Sequence, residues 1–182
     1  MFDYEKLKED LVSAMEKILR KWSEENDDIY ILSLDLSRDM ESVGVWANTV
    51  EYLEEQVDGD TSEDFWYYKY CEEEWDLCEV ISESSSYMST YVNENSGKFF
   101  EEDSEGISIY TESFDAHCDQ IMESCKKALE GFRELIKKDF PDLLLAFNIR
   151  EYLDNEERIE FFSFVNSAEA AKEYAEHIED FN

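Results

Sequence analysis

Basic residues are scarce. Sixteen Lys and Arg stand against forty-eight Asp and Glu, a formal net charge of −32 over 182 residues. Phosphate recognition needs a basic patch, so no direct binding to nucleic acid is expected, and an anionic membrane would repel the chain. One proline and five glycines leave no collagen-like repeat and no linker long enough to divide the chain. No run approaches the eighteen or more apolar residues of a membrane span. Met1 leads into Phe2, Asp3, Tyr4 and Glu5, without the basic and apolar regions of a secretory leader. A cytoplasmic protein is expected. Cys71, Cys78, Cys118 and Cys125 are then reduced thiols. Their spacings of seven within each pair suit one helix face and not the two-residue gap of a zinc knuckle. No metal or other cofactor is expected.

What the chain does have is material for a core. Apolar residues make up 43% and aromatics 15% of it. At this length folding hides roughly 70% of the unfolded surface, so the charge marks a folded acidic protein and not a disordered one. The acids are gathered in sequence: from Glu54 to Glu105 there are seventeen, against Lys69 and Lys98 as the only bases.

The elements read in order as follows. Leu7, Leu11, Met15, Ile18 and Trp22 recur at steps of three and four, predicting a helix over 2–25 capped by Asp3. Ile29–Leu36 is a strand apolar on nearly both faces and therefore central in a sheet. Ser42–Ala47 is a second, shorter strand. Asn48 with Glu51 predicts a capping box and a short helix, and Asp58-Gly59-Asp60-Thr61 a loop. Tyr70–Ser82 reads as a helix, with Cys71, Trp75 and Cys78 inside and Glu72, Glu73, Asp76 and Glu79 outside. Tyr87–Val92 is weakly helical, and 93–105 a long surface loop. The stripe Phe114, Cys118, Ile121, Cys125, Leu129, Phe132 and Ile136 predicts the longest helix, running from Thr111 or Ser113 to about Lys138. Leu143–Ile149 and Arg158–Val165 read as strands of a hairpin around Asp154-Asn155. Asn166 with Glu169 predicts a last capped helix. The expected architecture is one α+β domain, residues 1–182, with a mostly antiparallel sheet of about four to five strands covered by helices.

One stretch stands out. Asp64–Asp76, DFWYYKYCEEEWD, carries six aromatics around the run Glu72-Glu73-Glu74. On the ordinary reading Trp66 and Trp75 are core and the acids are solvated. On the functional reading Trp66, Tyr67 and Tyr68 anchor a partner, and Glu72, Glu73, Glu74 and Asp76 face its basic groups. Elsewhere the signals are weak. His117 beside Cys118 suggests a nucleophile pair, but neighbours on a helix point about 100° apart, and an exposed His with a buried thiol is the plainer expectation. Neither Asp58-Gly59-Asp60 nor 101–105 has the ligand pattern of a calcium loop. Glycine-rich phosphate loops, GxSxG and HExxH are absent, so no catalytic residue is assigned and an enzyme is not expected.

Three pieces together resemble a bacterial family known only as domain of unknown function 4303. They are the strand DDIYILSLDL with the helix start at Asn48-Thr49, the segment from Trp66 to Trp75, and the pattern from Leu143 through Phe161 to Asn166. The likeness spans about residues 29–166. The resemblance implies a small cytosolic protein found among polymorphic-toxin and immunity genes, and it carries no functional residues. The function expected is an acidic protein-binding protein, an immunity protein that neutralises a basic toxin. The alternatives are an enzyme or small-ligand domain with a site built from scattered residues, and a general acidic adaptor. The oligomeric state is left open.

Overall fold

The computed structural model describes residues 1–57, 64–105 and 107–178. The expected loop at Asp58–Thr61 lies outside them.

The chain opens with helix α1 (Tyr4–Trp22), whose start is closed by the Asp3 carboxylate accepting from the Lys6 N–H. Its apolar stripe buries Leu7, Leu11, Met15, Ile18 and Trp22, as the spacing predicts. Strands β1 (Ile29–Leu36) and β2 (Val43–Thr49) pair antiparallel. Helices α2 (Val50–Gln56) and α3 (Asp64–Tyr70) follow, then a 3₁₀ turn over Glu72–Glu74 and strand β3 (Leu77–Val80). Next come α4 (Ser82–Glu94), α5 (Ser96–Phe99) and a small hairpin of β4 (Phe100–Glu102) and β5 (Ser108–Tyr110). Helix α6 (Glu112–Ile136), capped by Thr111, is the longest element. Strand β6 (Leu144–Ile149), α7 (Asn155–Val165) and α8 (Ala168–His177) complete the fold.

The main sheet has the order β3-β2-β1-β6. Two of its three pairings are antiparallel and β1·β6 is parallel, so the α+β expectation holds and β1 is central. Alternation along β1 divides the interior. Leu32, Leu34 and Leu36 join Val43, Val45, Leu145 and Phe147 under α1 and α6 in the larger core. Ile31 faces the other way, into a smaller core with Tyr70, Trp75, Ala146, Phe162, Tyr174 and Ile178. Ser33 and Asp35 share that second face, because side chains two apart on a strand point the same way.

Several expectations are corrected. Tyr70–Ser82 is not a helix: the chain there makes the 3₁₀ turn and β3, which pairs Leu77–Val80 with β2. The 93–105 stretch is not a loop, because Val92 and Phe99 are core residues that pin α4 and α5. Arg158–Val165 is helix α7 and not a hairpin strand; Asp154 and Glu157 close its first turn reciprocally, in a capping box. With no hairpin, β6 returns beside β1 in parallel. Two caps shift by one residue. Thr49, not Asn48, caps α2, and Ser167, not Asn166, caps α8. The Asn166 amide instead clamps β6, accepting from the Leu145 N–H at 2.9 Å and donating to the Leu145 carbonyl at 2.6 Å.

His117 is also corrected. It is buried, 3% exposed, against Phe2, Tyr91 and Phe99, and shares a 2.8 Å hydrogen bond with the Tyr4 hydroxyl through Nδ1. Burial pulls its pKa down to about 4 from 6.5, so the folded state favours the neutral ring. The stability this contributes is present above about pH 6.5 and is lost as pH falls toward 4. Wild type should therefore lose on the order of 2 kcal/mol more than His117→Phe between pH 7 and 4.5. Urea unfolding at the two pH values measures this. Parallel losses in both proteins would refute it.

Candidate functional site

Asp64–Asp76 folds inward. In α3, Tyr70 is buried edge-on to Phe162 and Tyr174. Trp66 stacks at 3.8 Å on His177 of α8. Lys69 pairs with Glu173 at 2.6 Å and lies over the Trp66 ring. The Tyr30 hydroxyl donates to the Lys69 carbonyl at 2.9 Å, fixing α3 to β1. Trp66, Tyr67 and Tyr68 are all half-buried, and the Tyr67 hydroxyl donates to Glu74 at 2.9 Å. Trp75 is core, as expected. Glu73 and Asp76 remain exposed.

Glu72 is the exception that builds a site. Expected on the outside, it is 3% exposed, because the 3₁₀ turn rotates it under the sheet. Both its oxygens accept from Arg158 Nη2, at 3.0 and 2.9 Å. Burial opposes the Arg158 charge, yet the Glu72 carboxylate overrides it and holds the guanidinium above its ordinary range. A buried pair with this geometry survives because each charge is met by the other.

Beside this pair lies Asp35, 3% exposed. One carboxyl oxygen accepts from the Ser33 hydroxyl at 2.5 Å, while Oδ2 has no hydrogen-bond partner among the described residues. Burial, and then the neighbouring Glu72 carboxylate, push the acid up to about 8, against the pull of Ser33, Arg150 and Arg158. The two carboxyls are held differently: Asp35 accepts only from the Ser33 hydroxyl, whereas Glu72 holds a guanidinium on both oxygens. Arg158 Nε and Trp75 Nε1 are likewise buried without partners. Orphaned polar atoms on two neighbouring charged side chains, Asp35 and Arg158, are unusual in a native interior.

Asp35 lines a cavity of about 190 Å³ at the carboxyl ends of β1 and β6. The register sets Gly44 beside Asp35 on β2 and Asn148 beside it on β6. Gly44 has a steric reason: a Cβ there would lie 2.5 Å from the Trp46 ring, which leans across it. Arg150 follows β6, places its guanidinium 5.5 Å from the Trp46 ring centre and reaches Glu73 at 3.7 Å. Met40, in the β1–β2 turn, and Glu151, next to Arg150, both take φ of 56°. Such conformations in non-glycine residues concentrate at functional sites.

Sequence reasoning missed Asp35, Trp46, Arg150 and Arg158. A usable signal was present: Ser33 and Asp35 are the only polar residues in the otherwise apolar and aromatic strand IYILSLDL. The two buried thiols, Cys118 and Cys125, offer no second site. Burial pushes Cys118 up to about 12 and Cys125 higher still, so neither is a ready nucleophile. Among the described residues no cluster of His, Cys, Asp or Glu could hold a metal ion, and no helix is long and apolar enough to cross a membrane.

No curated protein and no solved structure shows significant similarity to the chain. The sequence model of the family described as "Domain of unknown function (DUF4303)" matches residues 7–167, and the chain belongs to that family.

Proposed function

We propose that the chain is an acidic cytoplasmic protein that binds a basic protein, acting as a bacterial immunity protein that neutralises a basic toxin. The observation that supports this is how its few cations are used. At least twelve of the sixteen Lys and Arg residues already lie within ion-pairing distance of the chain's own carboxylates. Those pairs engage only a minority of the forty-eight acids. The residual negative charge has no internal counterweight, and a basic partner supplies one.

Of the candidate contacts, Glu73 and Asp76 meet the requirement of exposure. Both sit just before β3, an edge strand of the sheet. Glu72 is withdrawn from the contact list by its burial, and Glu74 is occupied by Tyr67. Complementary charge of this kind accelerates encounter and screens out acidic competitors.

A tagged chain used as bait in its native host tests the reading. A basic protein should be captured at low salt and released near 1 M, where the Debye length shrinks to about 3 Å. A toxin encoded beside the chain would mark immunity; several unrelated basic proteins would mark a general adaptor. Capture of nothing, or capture indifferent to salt, overturns the proposal.

A further inference from the structure

We propose that the Asp35 cavity is a binding site for a small organic cation of the amine or guanidine class. The formal charges around it carry the argument. Asp35, Glu72 and Glu73 contribute three negatives, and Arg150 and Arg158 two positives. Glu72 is consumed by Arg158 on both oxygens, and Glu73 is the exposed partner of Arg150. That leaves one carboxyl without a cation: Asp35, which lines the cavity and whose Oδ2 has no hydrogen-bond partner among the described residues. A single N–H donor bearing one positive charge satisfies both the charge and the hydrogen bond.

The walls agree with that ligand. Trp46, half-buried beneath the Arg150 guanidinium, adds an aromatic wall, and Val80 is an apolar rim 56% exposed. A volume of about 190 Å³ equals the liquid share of roughly six waters, which suits a molecule of fewer than about ten non-hydrogen atoms. Arg150 would repel a cation at the mouth; its tie to Glu73 and its place over Trp46 hold its charge to one side.

The binding step balances in protons. Asp35 is buried and protonated near neutrality, and the incoming cation takes the proton's place, releasing it to solvent. The groups facing Asp35 are Ser33 on its own strand, Glu72 from the 3₁₀ turn, Arg158 from α7, Tyr174 from α8 and Arg150 after β6. None of them carries a second available negative charge.

Calorimetric titration of the whole chain with methylguanidine and with n-butylamine, in 0.15 M salt to suppress surface binding, tests the site. Methylurea and n-butanol serve as uncharged controls. Saturable binding of one cation should release close to one proton, seen as a dependence on buffer ionisation enthalpy, and should strengthen about tenfold or more from pH 6 to 8. Asp35→Asn, and Val80→Trp at the exposed rim, should each weaken it about tenfold or more, whereas Asp76→Asn should leave it unchanged. Absence of saturable binding at pH 8, equal binding of the uncharged controls, or unchanged affinity in Asp35→Asn and Val80→Trp would overturn the proposal. It does not depend on the protein partner and can fail or stand separately.

Discussion

Glu72→Ala should lower stability by about 3–5 kcal/mol, the cost of leaving one member of a buried ion pair alone. For a chain of this length that is a fall in melting temperature of roughly 10 °C. The loss arises because Arg158 would keep its charge in a site where its side chain is 14% exposed and its Nε already lacks a partner. Rearrangement is limited by the walls: Tyr174 and Phe162 are both buried beside the pair. The replacement is informative because an exposed glutamate, as the sequence pattern suggests, would cost almost nothing. Exposed acids in comparable ion pairs are worth about 0–1 kcal/mol. Thermal melts of Glu72→Ala and Glu73→Ala side by side separate the two cases. Similar small shifts would mean that Glu72 is not the buried anchor described above.

Asp35→Asn should do the reverse and stabilise the protein at neutral and alkaline pH. The folded-state pKa of Asp35 is raised to about 8 from 3.8. Its contribution is therefore fully present below about pH 4 and is lost as pH rises toward 8. Asparagine keeps the shape and the acceptor for Ser33 but has no proton to lose. The variant should match wild type near pH 4 and exceed it at pH 8 by on the order of 3 kcal/mol. In the Glu72→Ala background the sign should invert, since Asp35 becomes the only nearby anion for Arg158. A sign change of this kind is the signature of coupled sites. Melts of the four proteins at pH 4 and pH 8 provide the cycle. Destabilisation by Asp35→Asn at pH 8 in the wild-type background would contradict the burial of an uncompensated acid. A residue whose removal stabilises the fold is kept for something other than the fold.

The parts of the structure with one clean period were legible. The stripes of α1 and α6 bury the residues their spacing selects, and β1, apolar toward both faces, is central. Helix α7 was not legible, for a physical reason. It straddles the edge of the sheet, sending Phe161 toward the larger core and Phe162 into the smaller one. Adjacent residues are thus both apolar, the helical stripe disappears, and Ile159, Phe161, Phe162 and Val165 imitate a strand. The capping pair Asp154 and Glu157 was the better guide. Strand β3 has four residues, too few to show a period, and the chance spacing of Cys71 and Trp75 around the 3₁₀ turn with Cys78 in the strand mimicked a helix face.

The Asp64–Asp76 stretch was legible as important, but the placement of Glu72 was not. Its aromatics do go inward, but so does one of its acids. Glu72 meets an arginine 86 positions away, and no local pattern announces a partner at that distance. The same turn leaves Glu73 and Asp76 outside, so one short segment serves both the buried polar cluster and the acidic surface. The two proposals can be separated because the solutes they name differ: a small cation at Asp35, a basic protein at Asp76.

The most direct test of the proposed function is the salt dependence of association between this chain and its purified basic partner. The association rate should fall steeply as salt rises. Asp76→Lys combined with Glu73→Gln should slow it about tenfold at low salt and flatten the dependence, while Asp35→Asn leaves it unchanged. An association rate indifferent to salt, or unmoved by the Asp76 and Glu73 replacements, would contradict an acidic docking surface at this edge of the sheet.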